Sequence, residues 1–206
     1  IELYACERDL IVVMPSGLNA DYVNWPDFAL GYNTWDYLFE ELMPLVHHWL
    51  PASDKREDNF IAGLSMGGRG TIKFAVNHPD KFAAAAVLSA APVDFSLISP
   101  GNPNMMLDCA NPRTLASIEN AGGLEAYQNS CENVWAIIDK LAPTGKLPRL
   151  MFACGTEDAM IYENLKTFRK QMLFHWNQSF LPSVVSKTFC LVRIAPLLGE
   201  AEEVQS

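Results

Sequence analysis

Residues Asn59 to Phe82 read "NFIAGLSMGGRGTIKFAVNHPDKF", and they set two kinds of structure side by side. The first few residues are a short apolar run of strand length, while Met66 to Asn77 has the composition of a helix. His78-Pro79 closes that helix, because proline pushes the residue before it out of helical backbone. At the junction, Gly63-Leu64-Ser65-Met66-Gly67 fits the pattern G-x-S-x-G. There a serine is held on a tight, strained turn with its hydroxyl exposed, and the flanking glycines give the backbone room to make the turn. A helix N-terminus at the same place aims the backbone N–H of Met66 at an oxyanion forming on an attacked carbonyl. Two other readings exist. A glycine-rich turn can serve only to bring a helix close to a strand, but the strand before and the helix after favour the nucleophile. Gly63 and Gly68 also have phosphate-loop spacing, yet Arg69-Gly70 stands where Lys followed by Ser or Thr is required, and "GRGTIK" does not complete G-x-G-x-x-G.

Working outward, "DLIVVMP" (Asp9 to Pro15), "NFIAGLS", "FAAAAVLSAAP" and "LPRLMFACG" read as strands buried on both faces of a parallel sheet. Between the first two, "NTWDYLFEELMPLVHHWL" repeats its apolar residues at helical spacing, with Thr34 as the expected N-cap. A further helix is expected from about Met160 to Trp176. Strands alternating with helices predict an α/β fold, a doubly wound and mostly parallel sheet. Residues 92–148 break the rhythm with Pro, Gly and Asn around helical pieces such as "RTLASIEN" and "CENVWAIIDKLA". They read as a cap inserted over the strand ends of a single domain spanning 1–206. In such a sheet the ligand site lies beyond the carboxyl ends of the strands.

The chain has 206 residues, half of them apolar, enough for one well-buried domain. Its 24 acidic against 15 basic residues leave a net charge of −9, which would repel a polyphosphate backbone and excludes nucleic acid as an expected partner. Five cysteines without metal-ligand spacing fit free thiols in a reducing, cytoplasmic compartment. The longest apolar run, "FAAAAVLSAAPV", has twelve residues, short of the roughly 18 that span a bilayer, so no membrane association is expected. The first residue is Ile1 and no leader is visible, which leaves open a signal peptide upstream.

A serine nucleophile needs a base, and the base an orienting carboxylate. Asp158, in the loop "GTED" after the strand "LMFACG", is the best-placed acid in chain order; Glu157 beside it and Asp94 after "VLSAAPV" are alternatives. Taken together, "RDLIVVMPSG", "TWDYLFEELMPLV", "FIAGLSMGGRGTIKFAVNHPDKFAAAAVLSA" and "ACGTEDAMIYENLKTFRKQM" resemble the putative-esterase family of α/β-hydrolases, which includes tributyrin and acetyl esterases, esterase D, feruloyl and acetyl xylan esterases and the mycolyltransferases. The resemblance implies Ser65 as nucleophile, Met66 as oxyanion-hole donor through its backbone N–H, and Asp158 as triad acid. It implies substrate contacts from Trp25, Tyr32 and Leu64, although the two aromatics fit core packing equally well.

The match has gaps. The family's catalytic histidine follows the last strand, whereas 177–206 contains no histidine. The four histidines, His47, His48, His78 and His175, each fall at the far end of an expected helix, roughly 18–21 Å from its start. None should reach Ser65, and the helix dipole accounts for them. The early strands and the loop carrying the second oxyanion donor are also expected to be missing, which would leave sheet edges that favour oligomers. The expectation is a serine carboxylesterase for short acyl or acetyl esters, sugar esters among them, impaired by the lack of a base and needing no cofactor or metal. Its alternatives are a non-catalytic binding or remnant protein on the same scaffold, and an acyltransferase to a sugar acceptor.

Overall fold

The structure, a computed structural model, describes residues 2–8, 10–27, 32–90, 92–154 and 190–194. The chain forms two compact units, Ile1–Asn59 and Phe60–Ser206.

In the second unit, strands β1 (Phe60–Leu64), β2 (Ala84–Leu88), β3 (Arg149–Cys154) and β4 (Cys190–Ile194) form a sheet in the order β1-β2-β3-β4. The first three are parallel, and β4 runs antiparallel to β3. A helix, Met66–Asn77, joins β1 to β2, at the bounds expected from the sequence. The β2–β3 connection holds three more helices, Pro112–Asn120, Leu124–Gln128 and Val134–Leu141. The fold is α/β, as the alternation predicts.

The core covers the first of these helices nearly all round, with Gly68 and Gly70 to Val76 buried. Ile72, Ala75 and Val76 meet Ala85 and Val87 of β2 and Leu150 and Phe152 of β3, and Val134, Trp135 and Ile138 close the cluster. Burying each large aliphatic side chain stabilises the fold by about 1.5–3 kcal/mol relative to leaving it exposed. The helix Val134–Leu141, part of the expected insert, thus belongs to the core of the sheet, and Trp135 Nε1 donates to Pro92 O at 3.1 Å. A second, smaller cluster gathers Val93, Phe95, Leu107, Ile118 and Tyr127. One polar pair is enclosed as well: Lys73 Nζ lies 3.4 Å from Glu132 Oε2, with side chains only 4% and 8% exposed.

The strands are not buried on both faces as expected. β1 alternates exposed and half-buried residues and β2 alternates half-buried and buried ones. Among the described residues β1 is an edge strand, so its alternation follows the pleat with one covered face.

In the first unit, the described part of the strand expected at Asp9–Pro15 is not paired as a strand. Residues 10–17 carry no strand pairing, and Leu10, Ile11, Val12 and Val13 remain 41–47% exposed. An apolar run states what a segment would bury but supplies no hydrogen-bonding partner, and a strand requires one. The helix over residues 34–49 is present in three parts: Thr34–Asp36, a π-helical stretch Tyr37–Leu42, and Met43–Trp49. Met43 N–H reaches back to Leu38 O, one residue before proline, whose missing N–H cannot join the helical ladder. Thr34 is not the N-cap. It is buried inside the first turn, Asn33 precedes it without a side-chain cap, and Asn24 Oδ1 accepts the Asp36 N–H at 3.2 Å instead. No helix among the described residues is long and apolar enough to cross a membrane.

Candidate active site

Ser65 occupies the single residue between β1 and the helix Met66–Asn77, with φ 54° and ψ −115°. A non-glycine residue in this left-handed region is strained, and the surrounding contacts show how the strain is held. Ser65 N–H donates to Leu88 O on the neighbouring strand at 2.8 Å, and Ser65 O accepts from Arg69 N–H at 3.0 Å in the first helical turn. The backbone is therefore tied on both sides while the residue itself stays exposed and its side chain makes no capping hydrogen bond. A serine that capped the helix would spend its hydroxyl on a backbone N–H; this one keeps it available.

The glycines are required by contact. A Cβ at Gly63 would lie 2.2 Å from Gly67 O, so strand and helix approach too closely there for any side chain. At Gly68 a Cβ would meet Ala90 Cβ at 2.8 Å and Leu88 O at 2.9 Å. Gly63 supplies the room the sequence pattern implies, and Gly68 admits the chain beyond β2.

Met66 is the first helical residue, so its N–H lacks an intrahelical acceptor and lies at the positive end of the helix. Leu64, 64% exposed, adjoins Ser65 on the other side. Trp25 and Tyr32 belong to the first unit, where Trp25 N–H donates to Tyr32 O at 3.0 Å and Trp25 Nε1 to Ala20 O at 2.8 Å. Asp158, Glu157 and His175 lie outside the described residues. Asp94 Oδ1 accepts from Ser96 N–H at 2.9 Å and from Ser96 Oγ at 2.7 Å, capping a short turn after β2.

Three histidines can be placed. His47 Nε2 and Asn59 Oδ1 are 3.2 Å apart within the first unit, and His48 is exposed on the same helix. His78 caps the C-terminus of Met66–Asn77; the unbroken helix puts it about 20 Å from the Ser65 end. Its ring stacks on Phe74, and burial lowers its pKa below the usual 6.5, with Lys81 adding to the effect and Asp80 opposing it. Among the described residues no group of three or more His, Cys, Asp or Glu is arranged to hold a metal ion.

Two features escape a reading by motif. The ion pair Lys73–Glu132 joins residues far apart in sequence, and Asn77 Nδ2, donating to Cys131 O at 2.9 Å, fixes the backbone beside it. Ser89 is the other. Its left-handed backbone, φ 45°, has no signature beyond the small residues that follow β2.

The chain is similar to known proteins in sequence and in fold. The family model described as Putative esterase matches residues 4–173. An acetyl esterase of Caldicellulosiruptor saccharolyticus is 26% identical over 163 residues, covering 78% of this chain and 59% of that protein. Among solved structures, the fluorophosphonate-binding serine hydrolase F of Staphylococcus aureus, with substrate bound, superposes with a TM-score of 0.62 at 31% identity. The S-formylglutathione hydrolase of Staphylococcus aureus, as apoenzyme, gives 0.61 at 32% identity. Each alignment covers 87% of this chain and 66% of the other. The chain thus spans about three fifths to two thirds of the length of these relatives.

Proposed function

The chain belongs to the putative-esterase family, and from that premise we propose that it is a serine carboxylesterase acting on short-chain acyl or acetyl esters through an acyl-enzyme on Ser65. The observation that carries the reading is the exposed Ser65 on left-handed backbone at the β1–helix junction. A core serine would not be held there at the cost of strain.

In this reading Ser65 Oγ attacks the ester carbonyl carbon and passes its proton to a base. The carbonyl oxygen becomes an oxyanion, stabilised by the Met66 N–H at the helix terminus. Collapse breaks the bond to the alkoxy oxygen, which leaves as alcohol with the transferred proton. Water then attacks the acyl-serine and releases the carboxylic acid and free Ser65. Asp158 is assigned as the acid that orients the base, and Trp25, Tyr32 and Leu64 as substrate contacts. A small acyl group fits the relatives, one named for acetyl esters and another for S-formylglutathione.

The base is unassigned: His78 stands at the far end of the helix that starts beside Ser65, and 177–206 contains no histidine. That observation favours a second reading, a scaffold that keeps the nucleophile turn with little or no turnover. Hydrolysis of p-nitrophenyl acetate by the parent and by Ser65→Ala decides between them. The esterase reading expects the parent to be faster than Ser65→Ala. The residual rate of about 10³–10⁴ over water that survives loss of a triad member comes from the oxyanion hole and binding and would be shared by Ser65→Ala, so only a rate that depends on the serine supports the reading. Equal rates overturn it in favour of the scaffold.

A further inference from the structure

Ser65 has a strained counterpart on the next strand. Ser89, the residue after β2, also has left-handed backbone at φ 45°. Leu64 and Leu88 are register partners, so the serines that follow them occupy matching positions at the same end of the sheet. The peptide unit between Leu88 and Ser89 is gripped from both sides: its C=O accepts Ser65 N–H at 2.8 Å, and its N–H donates to Ala153 O of β3 at 2.7 Å. One peptide plane therefore links the nucleophile turn to β3.

The φ of Ser89 sets the direction in which the chain leaves this tethered plane. It leads onto the first turn of the helix after Ser65, where a Cβ at Gly68 would lie 2.8 Å from Ala90 Cβ. A negative φ at Ser89 has two outcomes. Either Ala90 moves off Gly68, or the peptide plane turns and Leu88 O leaves Ser65 N–H. Both loosen the backbone that aims Ser65 Oγ and the Met66 N–H.

We propose that Ser89 is a positioning residue, whose left-handed backbone clamps the Ser65 turn between β2 and the first turn of its helix. The proposal rests on the reading of Ser65 as nucleophile, and it invokes the backbone of Ser89, not its hydroxyl. Glycine adopts positive φ freely and asparagine tolerates it, whereas a β-branched residue does not. The order of substitutions therefore separates a clamp from a side-chain contact.

The test compares the parent with Ser89→Gly, Ser89→Asn and Ser89→Val. Amide hydrogen exchange is read by NMR at Ser65 and at Val87, the latter as a control within β2. Ser89→Val is expected to speed exchange at Ser65 by about tenfold or more while Val87 changes by less than about twofold; the Gly and Asn variants stay within about twofold of the parent at both. In p-nitrophenyl acetate hydrolysis, Ser89→Val should lower kcat with little change in KM, the mark of a misaimed nucleophile. Unchanged exchange at Ser65 in Ser89→Val overturns the proposal, and so does a rise in Ser89→Gly equal to that in Ser89→Val. Should Ser89→Val fail to fold, the Gly and Asn variants decide: protection retained at Ser65 supports the clamp, and protection lost refutes it. A parent no faster than Ser65→Ala refutes the esterase reading instead, and the exchange data then judge the clamp by themselves.

Discussion

Adding one methyl group at Gly63 measures how closely strand and helix must approach to form the Ser65 turn. In Gly63→Ala the new carbon would sit 2.2 Å from Gly67 O, 2.3 Å from Gly67 C and 2.8 Å from Thr71 Oγ1, against ordinary contacts that begin near 3.4 Å. The strand and the first helical turn must therefore part by about 1 Å. Gly63 is paired with Val87 in the ladder, so the helix is the element that gives way. Movement of that size stretches the 2.8 Å bond from Ser65 N–H to Leu88 O beyond hydrogen-bonding reach. Overpacking costs about 1–3 kcal/mol and a lost hydrogen bond about 0.5–1.5, for a total of about 1.5–4.5 kcal/mol. Two comparisons fix the scale. At Gly68 a Cβ would meet Ala90 Cβ at 2.8 Å and Leu88 O at 2.9 Å, shallower overlaps than at Gly63, so Gly68→Ala should cost about 1–3 kcal/mol. Gly101 has nothing within 4 Å but a φ of 72°, so Gly101→Ala pays only for left-handed backbone, about 1 kcal/mol. Urea unfolding read by tryptophan fluorescence gives the three midpoints. A Gly63→Ala chain within about 0.5 kcal/mol of the parent, or more stable than Gly101→Ala, would refute the argument from contact.

Lys73→Met strands Glu132 in a site where both side chains are nearly closed to solvent and should cost about 3–5 kcal/mol, while Lys73→Met with Glu132→Leu should recover most of it; the same urea series checks both. Burial lowers the His78 pKa in the folded chain, so the unfolded chain binds a proton first as pH falls. The contribution of His78 to stability is thus complete above about pH 6.5 and declines as pH drops from there toward the lowered folded value. Urea midpoints from pH 8 to 5 should show this decline in the parent and less of it in His78→Gln.

The elements written in short-range pattern were legible. The helix Met66–Asn77 announces itself by an apolar stretch closed by His78-Pro79, and β1, β2 and β3 by runs of apolar residues. Residues 10–15 have the same composition and form no strand, because pairing is a property of two segments and composition belongs to one. Thr34 has the right chemistry for an N-cap, but it is buried, and Asn24, ten residues earlier, satisfies the Asp36 N–H. A cap supplied across a turn leaves no mark at the expected position.

The same distinction runs through the candidate site. G-x-S-x-G is readable because each of its demands falls on side chains: no Cβ at Gly63, a hydroxyl at Ser65. The ties on the backbone there fall on carbonyls, Leu88 O on Ser65 N–H and Ala153 O on Ser89 N–H, which any residue can supply. Such ties can be read only where they exclude side chains. Gly68 and Ala90 mark one such place, where a Cβ would come within 2.8 Å of its neighbour. Ser89 marks a harder one, since its φ of 45° favours glycine and serine occupies it nonetheless. The surrounding contacts must then outweigh a conformational cost of about 1–3 kcal/mol. The energy that holds the Ser65 turn in place is therefore spread over β2, β3 and the helix, and a motif five residues long records only the part that its own side chains contribute.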